Sequence, residues 1–272
     1  MTELKTNTKL DIAFSPCPND TFIFHAMLHG LVDTGRLSFN AIINDIEELN
    51  KNAVQNKFDI TKLSFFAYLK LKKDYELLDA GSALGFNCGP LLVCKNPDID
   101  LKRSLIAIPG ELTTANLLLN LWNPKIKNTV ITRFDNILSG VKTKKFDAGL
   151  IIHESRFVYK NYGLKKIVDL GQWWEQTTGH PIPLGCIVLK KNKNLTILKK
   201  KIETIIQDSI KFAFNNKNAS TQFIKANAQE LDDRIIEEHI NLYVNNFSLS
   251  LGKKGRKAIK TLEEMAKWEK II

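Results

Sequence analysis

The residues best suited to chemistry in this 272-residue chain follow a short apolar run in the sequence GLIIHESR, residues 149–156. Residues 148–152 are small or apolar and predict a buried parallel strand, after which His153 and Glu154 follow without a spacer. The carboxyl ends of strands in open α/β sheets face the ligand crevice, and histidine can take or give a proton near neutral pH. We therefore predict that His153 is a general base. The alternative is a structural histidine at a strand end, with Glu154 and Arg156 forming a surface ion pair.

A polar loop of sequence SPCPNDT, residues 15–21, separates a predicted strand at residues 10–14 from the helix that follows. Its two prolines enforce an extended turn, and the polar residues 19–21 can cap the helix. A helix N-terminus at the crevice offers free N–H groups to a carboxylate or phosphate, and simple capping is the alternative. Ser15 and Asn19 are therefore candidate binding residues.

A third predicted strand, residues 58–64, ends in Lys62, Leu63 and Ser64 ahead of an amphipathic helix at residues 65–73. The Lys62 ammonium can contact an anion, while Ser64 donates its hydroxyl or a helix-start N–H group. The alternative is a solvated lysine at the edge of the sheet.

The order strand, turn, hydroxyl-bearing helix start recurs at residues 105–121, where Thr113 and Thr114 begin the helix. Strands and helices alternate in two such blocks, and helical periodicity continues from residue 195 to the end of the chain. This pattern predicts an α/β protein of two lobes that close on a ligand. The neighbouring Trp173 and Trp174 either line a flat cleft or fill the core.

The composition restricts the class of partner. The chain has 39 basic and 29 acidic residues, a formal net charge of +10, but its lysine runs carry no interleaved aromatic residues. Stacking side chains and a recognised module are both missing, so we expect no nucleic-acid partner and only weak steering of small anions.

Targeting and redox signals are also few. No run of about 18 apolar residues predicts a membrane span, and residues 1–9 lack the apolar stretch of a signal peptide. The four cysteines are scattered without a Cys-x-x-Cys pair, which argues against a zinc module and a disulfide scaffold. We expect a cytoplasmic protein without a metal site.

Several short motifs, taken in order along the chain, together resemble one enzyme family. They are FSPCPNDTFIF at residues 14–24, TKLS at residues 61–64, LIIHESR at residues 150–156, PIPLG at residues 181–185 and YVN at residues 243–245. The combination resembles the 1,4-dihydroxy-6-naphthoate synthases of the futalosine route to menaquinone.

The resemblance implies a two-lobed type 2 periplasmic-binding-protein-like fold with a ligand cleft between lobes. Residues 1–95 and 188–272 would form a discontinuous first lobe, and residues 96–187 an inserted second lobe. It implies a lyase that converts cyclic dehypoxanthinyl futalosine into 1,4-dihydroxy-6-naphthoate and dihydroxyacetone. The family's base falls on His153, and its substrate contacts fall on residues 62–64 and on the threonine pair 113–114.

That chemistry is compatible with the residues alone. An elimination that ends in an aromatic bicyclic ring needs a placed base and donors for developing oxyanions, so we expect a small carboxylate substrate and no cofactor. Two alternatives remain: a cytoplasmic small-anion binding or sensor protein on the same fold, and the related pathway enzyme chorismate dehydratase. The oligomeric state cannot be predicted from the sequence.

Overall fold

The computed structural model describes residues 7–229 and 231–272. Residues 1–6, most of the segment in which we predict no signal peptide, lie outside the described residues, as does Glu230. Within the described part of the chain, no helix is long and apolar enough to cross a membrane.

The first of two sheets has the strand order β2-β1-β3-β11-β4, with β5 also paired to β11. Strand β1 runs parallel to β2 and β3, whereas β11 runs antiparallel to β3, β4 and β5. These strands are β1 (Thr8–Phe14), β2 (Leu37–Ile43), β3 (Ile60–Ser64), β4 (Tyr75–Leu77), β5 (Ala83–Gly85) and β11 (Ile182–Lys190).

The second sheet has the order β10-β6-β9-β7-β8. Strand β9 is parallel to β7 and antiparallel to β6, so it lies at the centre of the sheet. These strands are β6 (Leu91–Cys94), β7 (Ile106–Ile108), β8 (Thr129–Ile131), β9 (Ala148–Ile151) and β10 (Lys165–Asp169).

Helices flank both sheets and form most of the chain after β11. Up to β11 they are α1 (Pro18–Leu28), α2 (Ile46–Val54), α3 (Phe65–Lys70), α4 (Thr114–Trp122), α5 (Phe134–Lys142), α6 (Ser155–Val158) and α7 (Leu170–Thr178). After β11 they are α8 (Lys193–Thr196), α9 (Lys199–Asn215), α10 (Thr221–Asn227), α11 (Asp233–Tyr243), α12 (Asn246–Leu249) and α13 (Gly252–Trp268). Two 3-10 helices complete the set, at Tyr159–Tyr162 and Lys217–Ser220.

The chain crosses between the sheets at different positions from the predicted lobe limits. Strand β6 belongs to the second sheet although it lies within the predicted first-lobe segment 1–95. Strand β11 belongs to the first sheet although it begins within the predicted second-lobe segment 96–187. Apolar periodicity reports that a strand is buried but not which sheet it joins, and the limits of the lobes themselves stay a prediction.

The core confirms that Trp174 is a structural residue. Its side chain is fully buried, and its indole N–H donates to the carbonyl of Pro181 at 3.1 Å. Trp173 is partly buried and packs against the same core. Neither indole lines the cleft described below.

Candidate active site

A cleft of about 630 Å³ lies where the carboxyl ends of β1, β3 and β9 approach the start of α4. It forms because parallel strands end at the same edge of a sheet and the loops that follow them carry polar residues. Seven of the eight candidate residues predicted from the sequence line this cleft: Ser15, Asn19, Lys62, Ser64, Thr113, Thr114 and His153.

Leu63 is the predicted residue that the structure does not bring to the cleft. Side chains alternate across a strand, so a residue between Lys62 and Ser64 must point to the opposite face. Leu63 is fully buried in the hydrophobic core, and its main chain pairs with Cys186 of β11. The Leu63 side chain therefore cannot make the predicted contact with a substrate.

His153 lies two residues after the buried end of β9. Its φ angle is 55°, in the left-handed region that non-glycine residues seldom adopt, and such strain is concentrated at functional sites. Phe134 packs edge-on to the imidazole with 5.1 Å between ring centroids. Burial lowers the pKa of His153 to about 4, against the opposing effects of the Asp45 and Asp20 carboxylates. The imidazole is therefore neutral at pH 7, the form that accepts a proton.

A hydrogen-bonded network around Asp20 forms another part of the cleft wall. The Lys62 ammonium lies 2.5 Å from Oδ1 of Asp20, and the Asn19 amide donates to the same oxygen at 2.8 Å. Ser15 donates its hydroxyl to Oδ2 at 2.6 Å and its backbone N–H at 3.2 Å. The sequence indicated Ser15, Asn19 and Lys62 but treated Asp20 only as a possible helix cap.

His239 of α11 is a component of the site that the sequence did not indicate. It is fully buried, and its Nε2 lies 2.9 Å from Oδ1 of Asn19. An amide oxygen can only accept, so Nε2 donates and Nδ1, 3.9 Å from Oε2 of Glu154, carries the lone pair. Burial lowers the pKa of His239, and the neighbouring His153 and Lys62 lower it further. The helical spacing of α11 predicts a buried histidine here but not its partner 220 residues away.

Ser64 is held by a second network that connects the two sheets. Asn50 of α2 donates to the Ser64 hydroxyl at 3.1 Å, and its side-chain oxygen accepts the Ser64 N–H at 3.0 Å. Glu47, one turn earlier, accepts the N–H of Glu111 at 2.9 Å and that of Leu112 at 3.2 Å. Burial raises the pKa of Glu47. Glu47 of α2 therefore binds the turn that precedes α4. The sequence gave no indication of this contact.

The threonine pair makes its hydrogen bonds mainly within the protein. Thr113 caps α4, donating to the Gly110 carbonyl at 2.8 Å and accepting the Asn116 N–H at 3.2 Å. Thr114 donates to the Leu184 carbonyl at 2.7 Å and accepts from a backbone N–H of α3 at 3.2 Å. The first N–H groups of a helix have no intrahelical acceptor. Thr113 takes those of Asn116 and Leu117, so in the described part of the chain the N–H groups of Thr114 and Ala115 remain for a ligand.

The alternative interpretation, a surface ion pair between Glu154 and Arg156, does not agree with the structure. Glu154 is buried, and Arg156 binds Asp169 at 3.2 Å and the carbonyl of Gly89. Arg156 therefore fastens the segment after β9 to the start of α7. Among residues 7–229 and 231–272, no three histidine, cysteine or acidic side chains are grouped as a metal ion would require.

Comparison with known proteins extends these observations. Residues 10–268 match the model of a family described as Menaquinone biosynthesis. A protein from Thermus thermophilus named 1,4-dihydroxy-6-naphthoate synthase is 40% identical over 253 residues, 93% of this chain and 92% of that protein. A protein of the same name from Streptomyces coelicolor is 39% identical over 268 residues, 97% of this chain and 94% of that protein.

Solved structures confirm the predicted fold. A protein from Archaeoglobus fulgidus superposes with a TM-score of 0.91 at 34% identity, covering 97% of this chain and 98% of that one. A Candida albicans protein described as having the generic periplasmic binding protein fold superposes with a TM-score of 0.70 at 15% identity, covering 97% and 91%. The two sheets and the cleft between them are those of this fold. Because the family model and both named relatives match nearly the whole chain, this protein belongs to the menaquinone biosynthesis family.

Proposed function

We propose that this protein is a lyase that converts cyclic dehypoxanthinyl futalosine into 1,4-dihydroxy-6-naphthoate, with release of dihydroxyacetone. The observation that carries the proposal is a neutral, half-buried histidine just after a strand end, facing a cleft that also holds Lys62. The synthase name of the two relatives supports the same reaction.

His153 takes the proton in this proposal. A base must be deprotonated to act, and burial keeps the imidazole neutral across the physiological range. Its strained backbone holds the ring at the cleft, with Phe134 packed against its edge. Positioning a base in this way contributes about 10²–10⁴-fold to the rate.

Lys62 and the start of α4 bind negative charge. The Lys62 ammonium supplies charge-assisted hydrogen bonds, and the helix N-terminus supplies N–H groups together with the positive end of its dipole. These groups suit the carboxylate of a flat aromatic ring or an oxyanion that develops during the elimination. We propose that the threonine pair contacts the substrate through these main-chain groups.

Formation of an aromatic ring makes the elimination thermodynamically favourable. We therefore propose neither a cofactor nor a metal for this step. Glu47 and Thr114 make hydrogen bonds between the elements of the two sheets beside the cleft. We propose that closure of the lobes around the substrate excludes water. We also propose that the enzyme works in the cytoplasm on a substrate made there.

Mass spectrometry after incubation with cyclic dehypoxanthinyl futalosine tests this function. Loss of a three-carbon fragment and appearance of the naphthoate are the expected results, and the His153→Asn variant is the control. An unchanged mass with retained binding would identify a binding or sensor protein instead. Turnover of chorismate would identify a dehydratase.

A further inference from the structure

The Asp20 carboxylate accepts hydrogen bonds on both of its oxygen atoms. It is fully buried in the first turn of α1, and it accepts from the Lys62 ammonium, the Asn19 amide, and the hydroxyl and N–H of Ser15. A carboxylate has about four lone-pair sites, so these four contacts occupy it. These contacts leave Asp20 no free lone pair, and its negative charge would repel an anionic substrate. Asp20 therefore does not bind the substrate directly.

Lys62 is fixed at both ends of its side chain. Its stem runs beside Gly185 of β11, where an added Cβ would lie 2.9 Å from Cε of Lys62. Its ammonium is fixed by Asp20 and is almost fully buried. An ammonium has three donor protons, and in the part of the chain described here a single hydrogen bond, to Asp20, is recorded for it. Two donor protons are thus left for the cleft that Lys62 lines.

We propose that Asp20 is a positioning residue for the reaction, which holds the Lys62 ammonium at the cleft wall so that its two remaining donors bind the substrate's anionic group. A free lysine side chain samples many rotamers, and ordering it during turnover would consume binding free energy. Asp20 and Gly185 order it in advance. The inference rests on the proposed function, because that function supplies the anionic substrate.

The network around Asp20 is anchored in a distant part of the chain. Asn19, which donates to Asp20, accepts a hydrogen bond from the fully buried His239 of α11. The carboxylate is therefore held by the loop after β1, by α1 and by β3, and through Asn19 by α11. His153, just after β9 of the second sheet, lines the same cleft, and its ring centroid lies 6.4 Å from that of His239, so the fixed charge and the base come from different sheets.

A double-mutant cycle tests the proposal. The variants are Asp20→Asn, Lys62→Met and the two combined, and the readout is kcat/KM for cyclic dehypoxanthinyl futalosine. We expect each single substitution to lower kcat/KM by about 10²-fold, as misplacement of a reacting group does. If Asp20 acts through Lys62, the double variant falls no more than about threefold below Lys62→Met. Independent losses that multiply to about 10⁴-fold would overturn the proposal, as would a near-parental Asp20→Asn enzyme.

The cycle remains decisive if Asp20→Asn alone fails to fold. That variant leaves a buried ammonium without its counter-charge, whereas the double variant removes both charges. The comparison of Lys62→Met with the double variant then decides, and a further loss of about tenfold or more in the double variant refutes the coupling. Asp79→Asn is the matched control, because Asp79 also accepts from a serine hydroxyl and a cation, Ser250 and Arg256, but does not line the cleft. Its kcat/KM should stay at the parental value.

A titration separates failure of this inference from failure of the proposed function. A parent protein that forms no naphthoate contradicts the function, and the cycle is then read from the affinity for 2-naphthoate, an aromatic carboxylate that needs no turnover. We expect Lys62→Met and Asp20→Asn each to weaken this binding by about tenfold or more, the loss of a charged hydrogen bond. A parent protein that binds 2-naphthoate no better than Lys62→Met overturns the inference.

Discussion

Replacing Thr114 with valine keeps the shape of the side chain and removes a hydroxyl that makes two hydrogen bonds. The hydroxyl donates to the Leu184 carbonyl at 2.7 Å and accepts from the Phe66 N–H at 3.2 Å. Thr114 is 3% exposed, so water cannot take the place of the lost group. The Phe66 N–H would remain buried without a partner, and the half-buried Leu184 carbonyl would lose its own.

The expected loss follows from these two contacts. A buried polar group left without a partner costs about 1–3 kcal/mol, and the 3.2 Å contact is the weaker of the two. We expect the free energy of unfolding to fall by about 2–4 kcal/mol. For a chain of this size that change lowers Tm by about 5–15 °C.

Urea unfolding and a melting curve measure this loss, and titration with 1,4-dihydroxy-6-naphthoate measures binding. Thr177→Val is the control, because the Thr177 hydroxyl bonds to the Trp173 carbonyl at 2.8 Å on an exposed helix face. Its unfolding free energy should change by less than about 0.5 kcal/mol. A Thr114→Val protein of parental stability that binds product at least about tenfold more weakly would refute this reasoning and make the hydroxyl a substrate donor.

Four further predictions concern the base and the contacts beside the cleft. His153→Asn should lower kcat by about 10²–10⁴-fold at an unchanged product affinity, and a stable variant with near-parental turnover would contradict the assignment of the base. Because burial lowers the pKa of His153 to about 4, the acidic limb of the kcat/KM profile should lie well below pH 6.5. The same shift means that His153 favours unfolding as the pH falls from 6.5 towards 4, since only the unfolded state then binds the proton; acid titration of stability checks this sign. In Gly110→Ala, the added methyl group should collide with the Glu47 carboxyl and weaken its hydrogen bonds to the turn before α4. We expect urea unfolding to show a loss of about 1–3 kcal/mol. Parental stability would show that Glu47 can move aside freely.

Much of the fold could be predicted because its signals are local. The strand at residues 148–152 and the base that follows it were read from consecutive residues, and the structure has a strand at Ala148–Ile151. The helix start at Thr113 and Thr114 was also predicted, and Thr113 accepts the Asn116 N–H there at 3.2 Å. Apolar periodicity and capping depend on neighbours within a few residues, so one sequence contains them.

The sheet to which a strand belongs was not available from such signals. Strand β6 joins the second sheet although it lies within the predicted segment 1–95, and β11 joins the first sheet although it begins within the predicted segment 96–187. Pairing depends on the register between segments far apart in the chain, and a buried strand looks the same in either sheet.

The sequence by itself determined which side chains end the strands that form the cleft, because strand ends and helix starts are marked by residue type. Only the tertiary structure decided what those side chains do. Leu63 turns into the core because neighbours on a strand face opposite sides. The Thr114 hydroxyl is engaged by Leu184, and Asn19 meets His239, 220 residues away. Hydrogen bonds form between groups that folding brings within about 3 Å, and no spacing along the chain encodes that distance.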